Sequence, residues 1–213
     1  MMTFHGYFRS SSAYRCRIAF NLKGIAPEFV AVNLRKKEHR TKEYLALNPQ
    51  GLVPMLDTGE ARLTQSLSII EWLDETHPDP RLLPDDPTER AHVRAFAQII
   101  ACEIHPLQNL RVLNFLKETY GRDQDDTDAW CRHWIAQGLD ACEAIADAQS
   151  HEGDFTFGDK PGLADICLIP QMFSADRFGL STDAWPRLQA IRAACEAMPE
   201  FADAHPARQP DAV

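Results

Sequence analysis

Between His77 and Pro87 the chain reads HPDPRLLPDDP, and four prolines in so short a run constrain the fold more than any other feature. Each proline removes a backbone donor and fixes φ, so the run can be neither a helix interior nor a central strand. It reads as a linker, residues 77–87, between a first domain at residues 1–80 and a second at residues 88–213. The two sides carry different periodicities. Short strand-like runs mix with helical ones before the linker, and everything after it is helical in period. The 213 residues, 45% of them hydrophobic, suffice for two small domains with a sizeable buried core.

Residues 3–8 predict a strand, followed by Arg9-Ser10-Ser11-Ser12 and a helix through Ile18, Ala19 and Leu22 that stops at Gly24, a natural C′ residue. Residues 28–34 form a second strand, which completes a βαβ unit, and residues 35–44 are a solvated helix or a loop. Residues 54–57 and 61–64 flank Thr58-Gly59 as a hairpin. Ser66 then N-caps a helix over residues 67–75. Past the linker, Asp86-Pro87-Thr88-Glu89 supplies an N-cap, a proline at the first helical position and an acid at N3. The helix that starts there passes Ile99, Ile100 and Ile104, kinks at Pro106, resumes at Leu110, Leu113 and Leu116, and ends at Gly121. Further helices cover residues 126–148, begin near residues 162–165, and cover 186–198. The tail HPARQPDAV is polar and proline-bearing, so it reads as a loose end or a flap.

A formal charge of −9 and a pI near 5.3 argue against binding to nucleic acid or an anionic membrane surface. No apolar run approaches the roughly 20 residues that span a bilayer, and the opening residues have no apolar region of the signal-peptide kind. A cytoplasmic address follows. The six cysteines are scattered, with no CxxC pair and no His at zinc-finger spacing, so they read as reduced and mostly buried thiols. Glu103 and His105 share a helix but lack HExxH spacing, and no metal site is expected. Arg35-Lys36-Lys37 reads as a solvated face.

Two loops carry residues suited to anions. Arg9-Ser10-Ser11-Ser12 lies between the first strand and the first helix, where free amides and the helix dipole favour negative charge. Ser10 there can stabilise a thiolate; on composition alone the same serines are cap and turn residues. The second loop is Asn48-Pro49-Gln50-Gly51-Leu52-Val53-Pro54, followed by Gln65-Ser66 at the next helix start. With Val53–Pro54 cis, the Val53 N–H and C=O would face outward and pair with an extended peptide. Gln65 and Ser66 offer an amide, a hydroxyl and N-terminal N–H groups to a carboxylate. Together these residues would grip a small acidic peptide; singly, Val-Pro is ordinarily trans and Ser66 is a cap.

NPQGLVPML, QSLSIIEWL and FGDKPGLADICLIPQ, in that order, resemble segments of the cytosolic glutathione transferase family, and RSSSAYRCRIAFNLKG with HPLQNLRVLNFL resembles its zeta class. The likeness covers essentially the whole chain. It implies an α/β thioredoxin-like N-terminal domain, an all-α C-terminal domain completing the substrate pocket, glutathione as cofactor and a homodimer. The zeta pattern Ser-Ser-Cys-x-x-Arg-x-Arg-Ile falls on residues 10–18, so Ser10 matches the serine facing the glutathione sulfur, with Arg9, Ser11 and Ser12 beside it as catalytic candidates. Ser12 stands where the pattern has cysteine, and Cys16, four residues on, does not replace it. Ser10, Ser11, Gln50, Val53, Gln65 and Ser66 match glutathione-binding positions, and His39 joins them. The family's N-cap and N3 acid in the helical half fall on Gly162 and Asp165, the latter a structural residue.

The zeta resemblance further implies isomerisation of maleylacetoacetate to fumarylacetoacetate in tyrosine and phenylalanine catabolism. In that chemistry a thiol adds to a cis double bond, the single bond turns and the thiolate leaves. Arg9, Gln108, Asn109, Arg111 and Arg177 are the expected substrate-binding residues. In a chain of charge −9, converging arginines suit a small-molecule dicarboxylate, while each alone is an ordinary surface residue. Leu110, where a second arginine would otherwise stand beside Arg111, inclines the reading toward the acetoacetate substrate. The alternatives are maleylpyruvate, from gentisate degradation, as substrate, a general conjugating glutathione transferase, and a glutathione-fold interaction module without chemistry.

Overall fold

The computed structural model describes residues 1–149 and 153–212. Its contacts gather into two units, Met1–Leu82 with Ala197–Val213, and Leu83–Glu196.

In the first unit, β1 (Thr3–Gly6) lies inside a four-stranded sheet of order β2-β1-β3-β4. β2 (Glu28–Ala31) runs parallel to β1, with Phe29 opposite Phe4, because α1 (Ser11–Leu22) returns the chain to the same end of the sheet. β3 (Met55–Asp57) pairs antiparallel with β1, and β4 (Arg62–Thr64) with β3, giving the expected hairpin. Both opening strands are shorter than their sequence pattern, because Tyr7 and Phe8 leave the ladder and bury their rings against each other, 4.8 Å apart. Phe20 of α1 meets Phe4 edge-on at 5.0 Å, and α3 (Ser66–Thr76) adds Ile69, Ile70 and Leu73 to the same core. Each such side chain contributes about 1.5–3 kcal/mol by burial. Residues 35–44, open between helix and loop, resolve into a 3₁₀ turn (Glu38–Arg40) leading to α2 (Lys42–Leu47), which Thr41 N-caps.

Lys23 closes α1 from beneath. Its buried ammonium donates to Asp74 at 2.6 Å, to the His77 carbonyl at 2.7 Å and to the Pro80 carbonyl, tying α1 to α3 and to the proline run. The tail HPARQPDAV, expected to be a loose end or a flap, is tied down at Asp211, and the residues just before it pack on α1 as well. α9 (Pro199–Ala204) packs on α1, burying Phe201 and Ala204. Arg17 donates to the Ala204 carbonyl at 2.9 Å, Asn21 to the Glu200 carbonyl at 2.8 Å, and Asp211 accepts the Phe8 N–H at 2.9 Å. The second unit therefore ends at Glu196, short of the expected residue 213. Polar composition concealed this because the segment is held by the backbone carbonyls of Glu200 and Ala204 and by one carboxylate, Asp211.

In the second unit, α4 (Pro87–Gln98) starts as its cap sequence requires, with Asp86 accepting the Thr88 and Glu89 N–H groups at 2.9 Å each. It does not continue as one kinked helix. The chain widens into a π-helical stretch (Ile99–Ile104), tightens into a 3₁₀ turn (His105–Gln108) and stops; α5 (Leu110–Tyr120) is a separate helix. Pro106 takes away a donor, and the Asn109 side chain caps α5 through the Arg111 N–H at 3.1 Å, so a break is favoured over a bend. Gly138 of α6 (Gln124–Ala148) lies against Ile104, and a Cβ there would collide with it.

α7 (Leu163–Arg177) is buried along most of its length and starts at Gly162. Asp165 accepts the Gly162 N–H at 2.8 Å and the Thr156 N–H and hydroxyl at 2.9 and 2.7 Å, the structural role expected of it. Glu143 of α6 accepts the Arg187 and Leu188 N–H groups at 2.8 and 2.9 Å, capping α8 (Pro186–Glu196). All six cysteines are free thiols, five of them buried, and burial pushes Cys131 and Cys142 up to about 12. Among the described residues no helix is long and apolar enough to cross a membrane, and no group of three or more His, Cys, Asp or Glu is placed to hold a metal.

Candidate active site

Ser10 is the N-cap of α1, with extended backbone, and its Oγ accepts the Ala13 N–H at 3.2 Å. Its oxygen lies 3.0 Å from Ser12 Oγ, and Ser12 donates to the Val53 carbonyl at 3.2 Å. A hydroxyl has one hydrogen. That of Ser12 is committed to Val53, so Ser10 is the donor in the serine pair. A directed chain therefore runs from Ser10 through Ser12 to the loop before β3. Ser10 can swing its hydrogen from Ser12 to an anion in front of α1 while Ala13 still holds its oxygen. Ser11 is the first residue of α1, and Arg9, half-buried, precedes the cap.

The Val53–Pro54 peptide bond is cis. Of the two Val53 groups expected to face outward, the carbonyl is engaged from inside by Ser12, whereas the N–H makes no hydrogen bond among the described residues. The preceding loop is rigidly referenced: the Tyr44 hydroxyl and Asn48 Nδ2 both donate to the Leu52 carbonyl at 2.7 Å, and Asn48 Oδ1 accepts the Gln50 N–H at 3.1 Å. Burial raises the Tyr44 phenol to about 12, so it remains a donor. Gln50 and Gln65 are joined by a 2.7 Å bond between their side chains, both exposed. His39 is half-buried with Nδ1 unpartnered, and burial together with Arg40 and Lys37 holds its ring below the usual histidine range.

Gln65, not Ser66, is the N-cap of α3. Its backbone sits at φ +69°, and its carbonyl accepts the Ile69 N–H at 3.0 Å, which starts the helix one residue earlier than expected. Its side chain reaches Gln50 instead of the helix, so no side chain caps α3. Ser66 is buried, and its Oγ accepts from Arg15 Nη1 at 3.1 Å. An uncapped helix start, a free Val53 N–H and a hydroxyl that can turn at Ser10 form a donor set that fits an acidic, thiol-bearing peptide.

The other candidates lie in the second unit. Gln108 donates to Gln171 Oε1 at 2.6 Å, and Asn109 caps α5 through its Oδ1, the amide nitrogen taking no part in the cap. Arg111 is exposed, and Arg177, also exposed, lies over the Phe178 ring at 5.6 Å. Gln171, 1% exposed, and Arg15, 2% exposed, are among the buried polar residues to which the sequence reading gave no role. Arg15 did leave a signal, as a cation at a helix position flanked by Tyr14, Cys16 and Ile18.

A family profile described as the glutathione S-transferase N-terminal domain matches residues 4–81. The maleylacetoacetate isomerase of Pseudomonas aeruginosa is 47% identical, covering 99% of this chain and 98% of that one. A holo structure of a maleylpyruvate isomerase, described as a bacterial glutathione S-transferase of the zeta class, superposes with a TM-score of 0.97 at 46% identity, covering 99% of this chain and 100% of the other. A maleylacetoacetate isomerase from Methylobacterium extorquens, solved with bound malonate and glutathione, gives a TM-score of 0.95 at 40% identity, with 99% of each chain covered. With its mixed sheet, its helical second unit and its serine-capped α1, this chain belongs to the zeta class of the glutathione S-transferase family.

Proposed function

We propose that this protein is a glutathione-dependent cis–trans isomerase that converts maleylacetoacetate to fumarylacetoacetate. The observation that carries the reading is the start of α1, where Ser10 keeps a movable hydrogen in front of the helix while a backbone N–H anchors its oxygen. The isomerase relatives and the glutathione-bound neighbour support it.

Bound glutathione supplies a thiol that, as thiolate, adds to the cis double bond and leaves after the single bond has turned. The protein's part begins with Ser10, which turns its hydrogen from Ser12 to the sulfur anion; the α1 dipole adds to that stabilisation. Ser12 keeps its bond to Val53 and so holds the two loops in register. Val53 N–H pairs with the peptide backbone, and Gln50, Gln65, Ser66 and the open α3 start take the γ-glutamyl group, with His39 at the margin. Arg9, Arg111 and Arg177, with Gln108 and Asn109, take the substrate carboxylates and absorb enolate charge as it develops.

The test supplies maleylacetoacetate with glutathione at a small fraction of the substrate concentration. Many turnovers with free thiol undiminished are expected; thiol loss in step with product would refute isomerisation in favour of conjugation. Ser10→Ala should lower turnover about 10²-fold, as for loss of one stabilising donor. A faster wild-type rate on maleylpyruvate would reassign the substrate and leave the chemistry. A cytoplasmic homodimer is part of this reading, and exposed Leu110, Phe115 and Tyr120 on α5 give such a dimer apolar surface to bury. Light scattering that returns a single-chain mass would refute it.

A further inference from the structure

Arg15 plays no part in the mechanism above, yet its surroundings set it apart from the other buried cations. Lys23 is answered by Asp74 and two carbonyls, and Arg17, with Nη1 alone unpartnered, by the carbonyls of Phe8 and Ala204, the Tyr14 ring and the nearby charge of Asp211. Arg15 is 2% exposed and makes one hydrogen bond, from Nη1 to Ser66 Oγ at 3.1 Å. Nε and Nη2 have no partner among the described residues, and no carboxylate is paired with the group there. Burying a cation without a counter-charge is unfavourable, so a fold that retains one has left room for an anion.

Ser66 shows where that anion belongs. A guanidinium can only donate, so Ser66 Oγ must accept from Arg15. Its single hydrogen is then left to donate away from Arg15. Ser66 also opens α3, whose first-turn N–H groups no side chain caps. Hydroxyl and amides together present donors alone, with an uncompensated positive charge behind them, a combination that favours a carboxylate over any neutral group.

We propose that Arg15 is a positioning residue for the cofactor: it locks the Ser66 hydroxyl as a donor and makes the α3 start selective for the α-carboxylate of the γ-glutamyl residue. This rests on the reading that the first unit holds glutathione. Arg15 touches no reacting atom, so it acts on cofactor affinity and discrimination and leaves the chemical step alone.

Calorimetric titration tests it with two ligands, glutathione and 4-aminobutyryl-Cys-Gly, which lacks that carboxylate. The wild type should bind glutathione about 10- to 100-fold more tightly than the analogue, the range for one charge-assisted hydrogen bond. Arg15→Met should lose that preference by weakening glutathione alone, with the analogue unchanged. Arg15→Lys should restore part of it. In turnover assays Arg15→Met should raise KM for glutathione by a similar factor and leave kcat within about twofold. Equal weakening of both ligands would show a merely structural role and overturn the proposal. Should Arg15→Met fail to fold, Ser66→Ala carries the test, and full discrimination by Ser66→Ala overturns the proposal. A wild type that binds neither ligand refutes the site itself and this role with it, whereas an Arg15→Met protein with undiminished preference refutes the role of Arg15 only.

Discussion

Ser12 donates its one hydrogen to the Val53 carbonyl, and that bond decides which way the Ser10 hydroxyl points before any ligand arrives. The importance of the serine run was legible in the sequence, because capping is a matter of neighbouring residues. Its polarity was not, because the acceptor lies 41 positions away. His39 makes the same point through charge. Burial, then Arg40 and Lys37, hold its folded pKa below 6.5. Between that lowered value and 6.5 the unfolded chain binds a proton the folded chain refuses, so its stabilising effect is complete above 6.5 and is lost as pH falls through the window. The melting temperature should therefore fall between about pH 7.5 and about pH 5.5. His39→Gln, which cannot titrate, should show a smaller fall. His5, lowered by burial, contributes in the same direction, and a fall of unchanged size in His39→Gln would assign the effect to His5 and other groups.

Among the elements, the loop from α2 to β3 shows how backbone conformation positions side chains. Gly51 sits at φ +59°, and a Cβ there would lie 2.8 Å from the His39 carbonyl. Gly51→Ala should cost about 1–3 kcal/mol, as for a non-glycine residue forced into a left-handed conformation. It should also weaken glutathione binding, since Gln50 and Val53 lie on the same loop. Paired melting and titration check this, and unchanged affinity would separate the loop from the cofactor site. The helices divide along the same line. The start of α4 was legible from Asp86, Pro87 and Glu89, which act within one turn. The break into α5 was not, because whether Pro106 bends or ends a helix depends on what packs beside it, here Ile104 against Gly138. At α3 the misplaced cap has a similar origin: Gln65 adopts positive φ and spends its side chain on Gln50, a partner 15 residues away.

For the molecule as a whole, the tail decides the extent of the first unit. Deleting residues 197–213 would take the Ala204 carbonyl from Arg17, the Glu200 carbonyl from Asn21 and Asp211 from the Phe8 N–H. Burial has already lowered Arg17 to about 10, so the guanidinium would lose support where water reaches it least. The deletion should destabilise by about 3–5 kcal/mol, the cost of removing one partner from a buried charge. Urea unfolding measures it, and an unchanged midpoint would show that the tail carries no stability. The sequence by itself determined the strands followed by helices, the starts of α1 and α4, and the serine run that caps α1. Each of these rests on residues within a few positions of one another, where propensity and capping act. Only the tertiary structure decided which hydroxyl donates, that Arg15 stays buried with two nitrogens unpartnered among the described residues, and where the C-terminal segment belongs. Those outcomes turn on pairs 41, 51 and 187 positions apart, and a polar group's partner is whichever donor or acceptor the packed core carries within reach.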